Sequence, residues 1–149
     1  MSSFSPEQVR RYSRHVLLPD VGGIGQARLL AATVSVDASG AAGRVAAAYL
    51  VAAGVGTVTI DDGCARRVTA AAGFPLRPAD VGGPLGAAVV AALGGRNPDA
   101  RVVVGAPPAD GFRLVIDGDA DRLPLADAFA LGGAAAAVLL HHIAIGARP

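Results

Sequence analysis

Lysine and tryptophan are absent from these 149 residues, cysteine occurs once, and neither sign of charge dominates. All 13 basic side chains are therefore arginines, so every cationic task falls to planar guanidinium groups rather than to a compact ammonium. The lone thiol, Cys64, excludes an intramolecular disulfide and any zinc site built on four cysteines, and it suits a reducing compartment. Its surroundings show no nucleophilic arrangement, and a small inert residue is the simpler reading. A formal charge of +1 supplies no field for polyanions, and the arginines are dispersed apart from Arg10, Arg11 and Arg14, so nucleic acid is not an expected partner. Residues 1–6 show no basic stretch leading into an apolar run, so no secretory signal is read and a cytoplasmic location is expected. Four phenylalanines and two tyrosines leave most of the core packing to Val, Leu and Ile.

What the chain does hold is a strand, a glycine turn, a helix and a second strand over 33–62, ending in Asp61 and Asp62. The turn is Ala38-x-Gly40-x-x-Gly43, a nucleotide fingerprint whose first glycine has become alanine. Gly40 would let backbone approach a phosphate, Gly43 would let the helix pack close on the strand, and the helix N-terminus would supply N–H donors. An acid about 20 residues past the turn is placed to accept from ribose hydroxyls. The spacing alone does not choose between ATP and NAD, and both glycines also have a purely structural reading as a tight turn.

The remaining pattern predicts a helix over 6–18, with Ser5 as N-cap and Pro6 in the first turn, and a second helix over 23–31. Strand 33–37, helix 42–53, strand 57–61, an irregular stretch to residue 79, helix 83–94, strands 101–104 and 113–117, and helix 126–145 follow. Alternating strands and helices imply an α/β fold: a Rossmann-like, doubly wound, mainly parallel sheet with helices on both faces. We read one domain over 1–149 with an N-terminal helical segment over 1–32. The apolar run 128–145 raises the question of a membrane span, but Gly132, Gly133 and the adjacent His141 and His142 favour a buried or interface helix. Those two histidines point about 100° apart on a helix, the wrong spacing for one metal ion.

Two segments are more specific than the turn: Arg11-Tyr12-Ser13-Arg14 and Ala53-Gly54-Val55-Gly56. With the fainter Val81-Gly82-Gly83-Pro84, Asn97-Pro98 and Leu114-Val115-Ile116-Asp117, they resemble the E1-like activating enzymes of the ThiF, MoeB and HesA types. The resemblance implies binding of ATP and magnesium, adenylation of the C-terminal diglycine of a ubiquitin-like or sulfur-carrier protein, and a homodimer. It implies that Arg14 reaches the nucleotide phosphates of the neighbouring subunit. It further implies that Gly40 and Gly43 form the nucleotide turn and that Asp62, or Asp61 one residue earlier, holds the ribose.

Departures from the family follow at once. Its asparagine lies over Ala70, its arginine over Gly73, its phosphate-facing lysine over Leu85 and its magnesium-side aspartate over Ala120, where Asp119 or Asp121 would substitute only with a shift. Losing one preorganised donor or cation costs roughly 10²- to 10³-fold in rate. Arg66 and Arg67 lie near the missing arginine, either as compensating cations or as a solvated turn. The family's zinc cysteines and acceptor-cysteine region have no counterpart. The expectation is a short, catalytically degenerate E1-like domain that binds nucleotide or protein, pairing with a full-length relative or a carrier protein. The alternatives are a minimal active adenylyltransferase and, in a different class, an NAD-binding Rossmann module.

Overall fold

A computed structural model describes residues 4–61, 66–70, 72–116 and 123–147. Helix α1 (Pro6–Val16) opens as its sequence directs: the Ser5 hydroxyl accepts from the Gln8 N–H while the Gln8 side chain caps the Ser5 N–H, and Pro6 fills the first turn. Helix α2 (Gly22–Ala31), strand β1 (Thr33–Asp37), helix α3 (Ala41–Ala53) and strand β2 (Thr57–Asp61) follow. A 3₁₀ turn at Pro78–Asp80 precedes helix α4 (Leu85–Leu93), strands β3 (Arg101–Val104) and β4 (Phe112–Leu114), and helix α5 (Leu125–Ile145). Each expected element is present, most with ends shifted by a residue or two; β4 is shorter than the strand expected over 113–117.

All strand pairs are parallel, in the order β3-β2-β1-β4, so the α/β Rossmann-like arrangement holds. The register separates the strand residues by chemistry, because side chains alternate faces along each strand. Val34, Val36, Val58 and Ile60, with Val102, Phe112 and Leu114, join one apolar cluster with Leu50 and Val51 of α3, Val89 and Leu93 of α4, and Ala136 and Ile143 of α5. The alternate positions are polar or charged almost throughout: Thr33, Ser35, Asp37, Thr57, Thr59, Asp61, Arg101 and Arg113. No helix links β3 to β4. Segment 105–111 makes that parallel crossover without a helix, turning at 109–111, its first glycine beside Thr59 and its last beside Thr33 and Pro108. Thr59 and Thr33 belong to the polar set of strand positions, so the crossover passes over the polar face as a strap.

Two small-residue contacts bring the helices together. A Cβ on Gly132 would land on the Ala42 carbonyl and against Val45, so α5 lies on α3 at near-backbone distance. At the opposite end of α3, Gly54 adopts φ +85° as the C-cap, and a Cβ there would collide with the Tyr12 ring. Tyr12 is 1% exposed; its hydroxyl donates to Asp99 Oδ2 at 3.0 Å and accepts from Asn97 Nδ2 at 3.0 Å, while Asn97 also donates to the Val51 carbonyl at 2.9 Å. Gln8 and Arg11 close on the Asp99 carboxylate. Tyr12, Gly54 and Asn97, from three scattered sequence segments, thus meet in one buried anchor for α1.

Candidate functional site

The glycine turn lies where the carboxyl ends of β1 and β2 meet the start of α3, the usual ligand crevice of an open α/β sheet. Gly40 is the N-cap of α3, with extended φ −91° and ψ 160°. A Cβ on Gly43 would fall on the Asp37 carbonyl oxygen, so its role in close helix–strand packing is a steric fact of this fold. The turn is also closed from within. The Asp37 carboxylate accepts from the Ser39 N–H at 2.9 Å, occupying one of the backbone donors that a phosphate would use.

Arg44, immediately after Gly43, is 2% exposed. Its Nη1 donates to the Ser39 carbonyl at 2.8 Å and the Ala38 carbonyl at 3.3 Å, and its Nε donates to the Phe74 carbonyl at 3.2 Å. The guanidinium therefore ties the turn to the segment that follows β2. Composition and spacing gave no hint of this, because an arginine in the first turn of a helix is ordinarily solvated.

A cavity of about 260 Å³ opens beside the turn, lined among others by Ser39, Arg44, Arg66, Arg67, Thr69 and Leu85. It falls below the roughly 300–1,000 Å³ of typical small-molecule sites, a size for a phosphate chain rather than a whole nucleotide. Arg66 and Arg67 are placed there by backbone pairing: Val68 N–H to the Gly83 carbonyl at 2.9 Å, Gly82 N–H to the Val68 carbonyl at 2.9 Å, and Leu85 N–H to the Arg66 carbonyl at 2.8 Å. Arg67 Nη1 also donates to the Gly82 carbonyl at 2.9 Å. Leu85, at the position where the resemblance calls for lysine, lines the same cavity.

The other sequence candidates are distributed around this cavity. Asp61, at the end of β2, accepts from Arg113 Nη2 at 3.3 Å across β1. Asp62, Cys64, Ala120, Asp119 and Asp121 lie outside the described residues. Arg14 is exposed on α1, whose neighbouring Tyr12 packs at the C-terminal end of α3. The 13 residues of α3 put about 20 Å between that end and Gly40, so within one chain Arg14 and the glycine turn stand apart. Among the described residues, no group of three His, Cys, Asp or Glu side chains converges as a metal site. The described residues thus fit phosphate through their arginines and offer magnesium no protein cage of its own.

No family model matches the chain. Over 101 residues, 67% of the chain and 37% of the relative, it is 39% identical to the SAMP-activating enzyme E1 of Haloferax volcanii. Over 61 residues, 41% of the chain and 16% of the relative, it is 51% identical to the probable adenylyltransferase/sulfurtransferase MoeZ of Mycobacterium tuberculosis. The chain thus spans well under half the length of these curated relatives. Among solved structures, PaaA superposes with a TM-score of 0.61 at 26% identity over 70% of this chain and 35% of that one. The E. coli tRNA N6-threonylcarbamoyladenosine dehydratase TcdA, in complex with AMP, superposes with a TM-score of 0.59 at 21% identity over 70% and 42%, a likeness of fold. With the parallel sheet, the glycine turn and the anchored Arg-Tyr-x-Arg helix in place, these relatives agree on one assignment: the chain belongs to the ThiF/MoeB-type E1-like superfamily.

Proposed function

We propose that this chain is a nucleotide-binding E1-like domain that does not itself adenylate, acting as a partner in the activation of a ubiquitin-like or sulfur-carrier protein in the cytoplasm. The observation that carries the reading is Leu85 on the wall of the cavity beside the glycine turn. An apolar side chain stands where charge on a pyrophosphate leaving group would need stabilising, and the cost of one lost cation is roughly 10²- to 10³-fold. Asp37 adds a carboxylate on the turn itself. The pocket's position supports ATP as ligand, with Gly40 and Gly43 at the turn; the family resemblance assigns the ribose to Asp62. Magnesium would then be held chiefly by the nucleotide's own phosphates.

Partner binding has its own support. Leu131, Val138 and Ile145 recur every seven residues along α5 and are 41%, 61% and 52% exposed, and Tyr49 of α3 is 49% exposed near Gly133. This apolar stripe suits a second copy of the chain or a full-length relative, and a dimer would be needed to bring Arg14 to a nucleotide. The second reading, a minimal active adenylyltransferase, draws on the three arginines lining the cavity. Calorimetric titration with ATP and magnesium, with NAD as comparator, followed by pyrophosphate exchange with a carrier protein, separates the readings. ATP binding without exchange is expected. Exchange would establish the active enzyme, and binding of NAD alone would establish the NAD-binding module.

A further inference from the structure

We propose that the cavity beside the glycine turn is a phosphate site whose charge is carried by Arg66 and Arg67, with Arg44 as the positioning residue. This rests on the nucleotide reading above and adds to it which side chains hold the polyphosphate in a chain without lysine. Neither Arg66 nor Arg67 matches a family binding position; they are assigned from their placement.

Three observations converge. Arg66 and Arg67 line the cavity on a segment fixed by three backbone hydrogen bonds to 82–85, so the main chain is already ordered and only side-chain freedom is lost when an anion engages them. Arg67 uses Nη1 on the Gly82 carbonyl, and the Arg66 side chain makes no hydrogen bond or ion pair among the described residues, which leaves most of the five donors on each guanidinium for a ligand. Forked donors of this kind match phosphate oxygens bidentately. Arg44, bonded to the carbonyls of Ala38, Ser39 and Phe74, holds the turn and the post-β2 segment at fixed separation and so fixes the width of the cavity. Asp37, by taking the Ser39 N–H and adding negative charge, turns phosphate away from the damaged turn and toward the arginines. Ser39 and Thr69 line the same space.

The test is titration of the full chain with ATP, adenosine and inorganic pyrophosphate, comparing it with Arg66→Gln/Arg67→Gln and Arg66→Lys/Arg67→Lys. Both arginines are exposed, and circular dichroism verifies that each variant is folded. The glutamine pair is expected to weaken ATP and pyrophosphate by roughly 10²- to 10⁴-fold while leaving adenosine unchanged, at one charge-assisted contact per arginine. The lysine pair should recover only part of that loss. ATP binding that is the same in the wild type and the glutamine pair overturns the assignment and leaves the nucleotide reading standing. Pyrophosphate binding that the glutamine pair abolishes, with no binding of adenosine or ATP, supports the phosphate site and overturns the nucleotide reading. A wild-type chain that binds neither ATP nor pyrophosphate overturns both.

Discussion

Asp99 is the residue on which α1 is moored. Burial acts to raise its pKa, but hydrogen bonds from Gln8 and Tyr12 and the adjacent Arg11 guanidinium outweigh it, and the carboxyl is held below its ordinary value. Tyr12 moves the other way, its phenol pushed up chiefly by burial. A depressed carboxylate stabilises the fold fully above its unfolded pKa of about 3.9, and that contribution is lost as pH falls through the lower folded value. Thermal unfolding followed from neutral pH to below pH 4 should therefore show an acid limb that Asp99→Asn flattens, with the variant less stable at neutral pH. An unchanged acid limb would remove Asp99 from that role. The sequence displayed Arg11, Tyr12 and Arg14 as a motif without separating their tasks: packing spends Arg11 on Asp99 and Tyr12 on Asn97 and Gly54, and leaves Arg14 exposed. Arg44 was invisible for the opposite reason. Its value comes from carbonyls at 38, 39 and 74, and the last of these is remote in sequence.

Among the elements, α3 and α5 make a close joint. The Ala42 carbonyl stands where any side chain larger than hydrogen on residue 132 would go, and Val45 flanks it. Gly132→Val should lower stability by about 1–3 kcal/mol through overpacking, lowering the midpoint of thermal or urea unfolding; a midpoint equal to the wild type would mean that the helices separate without cost. The existence of α1 to α5 was legible because helix signals are local, as with Ser5 and Pro6 at the start of α1; the left-handed caps at Gly54 and Gly146 are seen in the structure. The strand faces were legible in part, since Thr-Val-Ser-Val-Asp and Thr-Val-Thr-Ile-Asp alternate openly. That the polar positions of both strands share one face, crossed by the 105–111 strap, follows from register and handedness, which no single strand encodes.

For the whole molecule, the question is what covers α5. It is long and apolar enough by composition to cross a bilayer, yet it packs along α3 and α2, with 28% of its most apolar window buried. If the Leu131, Val138 and Ile145 stripe meets a second copy, light scattering of the purified chain should give the mass of a dimer, and Leu131→Glu/Val138→Glu should give a folded monomer. A monomeric wild type would transfer the stripe to a different partner and remove the trans role of Arg14 within a homodimer.

The amino-acid sequence by itself determined the α/β class, the order of elements and the family, because capping, alternation and the Arg-Tyr-x-Arg and Ala-Gly-Val-Gly segments are read within short windows. It also determined that no lysine serves any site. Only the tertiary structure decided that the three segments form one anchor, that Arg44 is buried in the turn, and that Arg66, Arg67 and Leu85 border one cavity. Those outcomes depend on backbone pairing and close approach between residues distant along the chain, and such distances are set by packing rather than by local preference.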